Sequence, residues 1–98
     1  AAEGAFGECV VGGPMDVKTA CDLHSAEIKG IDSPVAGKAD VLIFPILTAA
    51  NTFYKTVSFF CYAPMAGVLC GTTAPVVIPS RADHDISKLY SLALACLL

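Results

Sequence analysis

The sequence predicts an α/β fold in which a mainly parallel sheet is flanked by helices, and three observations carry that expectation. The runs Val41-Leu42-Ile43-Phe44 and Val76-Val77-Ile78 are continuously apolar rather than alternating, as in strands covered on both faces. Between and after them lie stretches with apolar residues at helical spacing. The resulting order is strand, helix, strand, helix, strand, strand, helix, which suits a sheet whose strands are joined by helical connections.

Taken in order, Cys9-Val10-Val11 reads as a short strand closed by Gly12-Gly13-Pro14. Asp22 to Lys29 is helical, with Gly30 placed as a C-cap. Pro34 and Gly37 make 31–38 a loop. Val41–Phe44 is a strand ended by Pro45. Asn51 to Cys61 is a helix whose Phe53, Tyr54, Val57, Phe60 and Cys61 form an inward stripe, stopped by Pro64. Phe53, Tyr54, Phe59 and Phe60 are accordingly expected in the core. Met65 to Cys70 is a short strand or connector, and Val76–Ile78 is the next strand. Asp85 to Leu98 is a helix with Ile86, Leu89, Tyr90, Ala93, Leu94 and Leu97 on one stripe, capped by Asp83 or Asp85.

Ninety-eight residues allow a single α/β segment, 1–98. Hydrophobic residues make up 55% and charged residues 15%, an imbalance for so small a unit, whose surface should be rich in polar groups. With the apolar end Leu92–Leu98, the imbalance leads to the expectation of a piece of a longer chain. The net charge of −3 and the lack of a basic stripe argue against nucleic acid. Thr56 to Ser80 carries no charge, but Pro64, Gly67, Gly71, Pro75 and Pro79 interrupt it, so a membrane span is not expected. The five cysteines are widely spaced and read as buried, reduced thiols of a cytoplasmic protein. His24 and His84 lack neighbouring ligands, so no metal site is expected.

Arg81 is the only arginine, and between Asp40 and Arg81 the only charged residue is Lys55. Arg81 follows Ser80 where the Val76–Ile78 run meets the last helix. A strand-to-helix turn directs unpaired N–H groups and the positive end of a helix at one point; a guanidinium and a hydroxyl there suit an anion such as phosphate. Ligands of open α/β sheets bind beyond the carboxyl ends of the strands, where the loops 12–14, 45–51 and 79–83 should converge with Asn51, Ser80, Arg81 and Asp83. Lys55 shares a helix face with Asn51, although Asn51 also suits a plain helix cap.

Several runs carry a family resemblance. Asp32-Ser33-Pro34-Val35-Ala36-Gly37-Lys38-Ala39-Asp40-Val41-Leu42-Ile43-Phe44-Pro45, Asn51-Thr52-Phe53-Tyr54-Lys55, and Ser80-Arg81-Ala82-Asp83 followed by Ser87–Ala95 resemble the phosphate acetyl/butyryltransferases, the last run its butyryl branch in particular. The resemblance extends from about Gly12 onward and implies the C-terminal part of a longer, two-domain enzyme. That enzyme would have a fold like the isocitrate and isopropylmalate dehydrogenases, usually form a homodimer, and hold its active site in the interdomain cleft. It further implies transfer of an acetyl or butyryl group between coenzyme A and inorganic phosphate, with no tightly bound cofactor. Ser80 and Arg81 then take catalytic roles, Ser80 donating to the carbonyl or departing sulfur, with Asn51, Lys55 and Asp83 binding substrate. The sequence departs from the family pattern at Ile46, Thr48, Ala50 and Ser87, the last standing where the acetyl branch has an acidic residue proposed as a base. Two other functions compete. An inactive fragment or non-catalytic interaction module is favoured by the departures at Ile46 and Ala50, by the short length and by exposed apolar surface. A dehydrogenase of the related fold would need clustered Asp, several Arg and a glycine fingerprint, which this sequence lacks.

Overall fold

The computed structural model describes residues 4–98. It contains four helices, α1 (Val17–Cys21), α2 (Leu23–Ile28), α3 (Leu47–Phe60) and α4 (Asp85–Leu97). Two compact units divide the chain, one running to Phe44 and the other Pro45–Leu98.

In the first unit, α2 matches the helix expected over Asp22 to Lys29, and α1 precedes it as a short helix that the sequence reading did not include. Asp16 caps α1 by accepting from the Thr19 amide and hydroxyl, and Asp22 caps α2 by accepting from both groups of Ser25. Each carboxylate satisfies a donor that the helix start leaves unpaired. The second cap breaks the chain between Cys21 and Leu23, and so makes two helices. Gly30 follows α2 at φ +63°, in the left-handed conformation glycine adopts without a Cβ penalty. The loop after it folds back on α1: Gly37 N–H donates to Thr19 O at 2.9 Å and Ala39 N–H to Ala20 O at 3.1 Å.

In the second unit, α3 begins a full turn before the expected Asn51. Its N-cap is Ile46, which offers no side-chain acceptor. The departure at Ile46 therefore leaves out a capping bond usually worth about 0.5–2 kcal/mol. Asn51 lies inside the helix and is not its cap. The helix ends as Tyr62 turns to φ +52°, two residues before Pro64. At α4 neither Asp83 nor Asp85 is the N-cap; His84 takes that position without a side-chain bond, and Asp85 lies in the first turn.

The expected parallel sheet does not form among the described residues. Val41–Phe44 and Val76–Ile78 belong to no ladder, and the single bridge, Leu69 with Val76, is antiparallel. Apolar runs record a preference for burial, whereas a strand also needs a neighbour about 4.8 Å away. Ile43 is 89% exposed and Ile78 77% exposed.

Burial reverses a second expectation. The buried residues are Thr19, Ala20, Ser25, Ala26, Ala36, Ser87, Ser91 and Ala95, all small. On α4 the inward face is Ser87, Ser91 and Ala95, at helical spacing, while Ile86, Leu89, Tyr90 and Leu97 face outward. Small side chains let the segment after α3 approach α4 closely. Gly67 N–H donates to Ser91 Oγ at 3.0 Å and Met65 N–H to Ser87 Oγ at 3.4 Å. On α4 small size, which permits close approach of the neighbouring segment, and not hydrophobicity decides which face turns inward. All five cysteines are exposed rather than buried.

Candidate functional site

The second unit holds a cleft of about 540 Å³ between one face of α3 and the start of α4. Asn51, Tyr54, Lys55, Ser58 and Phe59 line it from α3, at spacings that share a helix face. Ala82, Asp83, His84 and Ser87 line it from the other side. The α3 end nearest Asn51 and Lys55 is polar, and Phe59, Phe60 and Ala63 make the far end apolar.

Asp83 organises the polar end. Its Oδ2 accepts from Tyr54 Oη at 2.9 Å and from the Ser80 amide at 2.9 Å, while Lys55 Nζ lies 3.6 Å from Oδ1. The Asp83 side chain is 11% exposed. Burial by itself would raise its pKa, but the Tyr54 hydroxyl, the Ser80 amide and Lys55 outweigh it and hold the carboxyl below its ordinary value. Tyr54 shifts the other way: burial first, then the neighbouring carboxylate, raise its phenol above the ordinary value. The Lys55 ammonium also lies 5.0 Å from the centre of the Tyr54 ring, within cation–π range.

Ser80 and Arg81 occupy the turn beside this cluster. Asp83 N–H donates to Ser80 O at 3.1 Å, closing the turn, and Ala82 N–H donates to Ser80 Oγ at 3.4 Å. Among the described residues the Ser80 hydroxyl proton has no acceptor and Arg81 takes part in no ion pair. Arg81 is exposed.

The structure thus brings Asn51, Lys55 and Asp83 to one cleft, with Ser80 and Arg81 on the turn that Asp83 closes. The loop 12–14 lies in the first unit, as does the Asp32–Pro45 run except for Pro45, which begins the second. Tyr54 and His84 line the cleft without a site signal in the sequence, and Ser87, one of the departures named above, lines it as well. Tyr54 was assigned to the core by its place on the apolar stripe, but a half-buried tyrosine needs a partner for its hydroxyl. Asp83, the one acidic residue of the Ser80-Arg81-Ala82-Asp83 run, supplies it. Among the described residues no three His, Cys, Asp or Glu side chains are grouped to hold a metal ion, and no helix is long and apolar enough to cross a membrane.

The family described as Phosphate acetyl/butaryl transferase matches residues 3–96. A phosphate butyryltransferase of Clostridium beijerinckii is 45% identical over 89 residues, covering 91% of this chain and 30% of that protein. A phosphate acetyltransferase of Thermotoga maritima is 46% identical over 87 residues, covering 89% of this chain and 30% of that protein. The crystal structure of a branched-chain phosphotransacylase from Enterococcus faecalis superposes with a TM-score of 0.76 at 34% identity, over 86% of this chain and 32% of that one. That likeness supports an α/β enzyme fold. The chain spans about 30% of the length of these curated relatives.

Proposed function

Because the chain belongs to the phosphate acetyl/butyryltransferase family, we propose that it carries one wall of the active site of an acyltransferase. That enzyme moves an acetyl or butyryl group between coenzyme A and inorganic phosphate. The observation that carries the proposal is the Ser80–Asp83 turn, where a lone guanidinium and a free hydroxyl proton stand beside a cleft that Lys55 also lines.

In the proposed reaction a phosphate oxygen attacks the thioester carbonyl carbon, a tetrahedral oxyanion forms, the carbon–sulfur bond breaks, and coenzyme A leaves as its thiolate. Two anionic reactants must be held together, so fixed positive charge and directed donors are the main requirement. Arg81 forks onto phosphate oxygens or the oxyanion. Ser80 donates to the carbonyl oxygen or the departing sulfur. Lys55 and Asn51 hold the incoming anion from α3, and Asp83 keeps Lys55 and Ser80 in place behind them. The positive end of α4 faces the same cleft. Ser87 lines it too, but it cannot serve as the base at ordinary pH. The proposal includes what the family implies further: no tightly bound cofactor, a dehydrogenase-like two-domain fold, a homodimer and a cytoplasmic enzyme.

Release of free coenzyme A from butyryl-CoA or acetyl-CoA by the complete protein that carries this chain tests the proposal. Release should require phosphate and yield one hydroxylamine-reactive acyl phosphate for each thiol. Equal release without phosphate would make the protein a thioesterase. No release would favour the non-catalytic module, to which the outward apolar side chains also point.

A further inference from the structure

We propose that Tyr54 is a positioning residue: through Asp83 it locks the Ser80–Asp83 turn and so sets the direction of Arg81. Asp83 is then the lock, not a ligand of substrate. What Arg81 meets rests on the acyltransferase assignment, whereas the lock itself rests on geometry alone.

Ser80 and Asp83 are joined at both ends of the turn. The Ser80 amide donates to Asp83 Oδ2, and the Asp83 amide donates to Ser80 O. Arg81 lies between these two bonds, so its backbone direction follows from them. The bond from Ser80 holds only while the carboxylate stays in one rotamer. Tyr54 Oη fixes that rotamer by donating to the same Oδ2 at 2.9 Å from the rigid frame of α3. A side chain locked this way saves the cost of ordering it when substrate binds. The engaged carboxylate suits this task better than substrate contact. Both its oxygens face protein donors, and the side chain is 11% exposed. A carboxylate would also repel phosphate. Tyr54 sits on α3 beside Lys55, so one turn of helix supplies both the cation and the lock.

The test compares Tyr54→Phe, Asp83→Asn and Asp83→Ala in the intact protein, by amide hydrogen exchange at Ser80 and by steady-state kinetics. Phenylalanine keeps the ring but removes the donor. Exchange at Ser80 should then rise several-fold, and kcat for acyl phosphate formation should fall about ten-fold, with KM for the acyl-CoA within two-fold. Asparagine still offers an oxygen to Ser80 and Tyr54. Asp83→Asn should therefore recover at least ten-fold in kcat/KM over Asp83→Ala and keep most of the Ser80 protection. Two results would each overturn the proposal: unchanged exchange at Ser80 in Tyr54→Phe, or Asp83→Asn as inactive as Asp83→Ala with Ser80 still protected. A wild-type protein without turnover would remove the acyltransferase assignment, while the exchange measurement would still decide the lock.

Discussion

Replacing Gly37 by alanine should destabilise the first unit more than the same change at Gly30, although the two backbones are nearly alike. Gly30 has φ +63° and Gly37 φ +70°. An L-residue in this region costs about 1–2 kcal/mol, so each variant carries that cost, offset similarly by the reduced freedom of the unfolded chain. Their surroundings differ. A Cβ at Gly30 would meet nothing within 4 Å, but at Gly37 it would lie 2.4 Å from Leu23 Cα and 2.6 Å from Leu23 N. Those atoms are backbone at the start of α2, so relief requires the 33–38 loop to lift from the helices. That movement would strain the Gly37–Thr19 and Ala39–Ala20 bonds. Overpacking of this kind costs about 1–3 kcal/mol, giving a total of about 2–5 kcal/mol for Gly37→Ala against about 1–2 kcal/mol for Gly30→Ala. At about 4–8 °C per kcal/mol for a chain of this size, the two thermal midpoints should differ by at least about 4 °C. Calorimetric midpoints within about 1 °C of each other, or a milder effect at Gly37, would refute the close-approach argument.

Two further predictions concern packing and acid. Ser91→Leu should destabilise by about 1–3 kcal/mol in denaturant titration, because Ser91 is 5% exposed and receives the Gly67 amide; a neutral effect would restore the apolar stripe as the inward face of α4. The Asp16, Asp22 and Asp83 carboxyls are all held below their ordinary value. A lowered folded pKa means that the folded state binds protons less readily than the unfolded one. The stability they contribute is therefore complete above about pH 4 and is lost as pH falls through the lowered values. The thermal midpoint should drop steeply below about pH 4, and a flat profile from there to pH 2 would contradict these contacts.

How much was legible in the sequence differs between the elements and the site. The helices were readable where a periodic stripe meets a chemical boundary. Lys29 is the C-cap of α2, one residue before the expected Gly30, which takes the left-handed turn after it, while α4 starts at the expected Asp85. The start of α3 was missed because Ile46 carries no capping signal, so the Asn51 further along attracted the assignment. The paired caps Asp16 and Asp22 are ordinary Asp-x-x-Thr and Asp-x-x-Ser spacings, a signal that is present in the sequence. The strands are not legible in this way, since Val41–Phe44 and Val76–Ile78 show an apolar preference that cannot reveal whether a pairing neighbour exists. For the site, Arg81 and Lys55 stood out by rarity of charge, and Asp83 by its place in the Ser80–Asp83 run. Tyr54 could not be assigned in this way: its ring satisfies the stripe, and its hydroxyl shows a role only once Asp83, distant in sequence, lies 2.9 Å away.

The most direct test of the account is the initial rate of acyl phosphate formation by the Arg81→Ala variant, measured beside wild type with the fold checked by circular dichroism. A preorganised donor to a developing oxyanion is typically worth about 10²–10³ in rate. The account predicts a loss of at least that size with an unchanged spectrum. Turnover within about three-fold of wild type would contradict the assignment of Arg81 to the reacting anion.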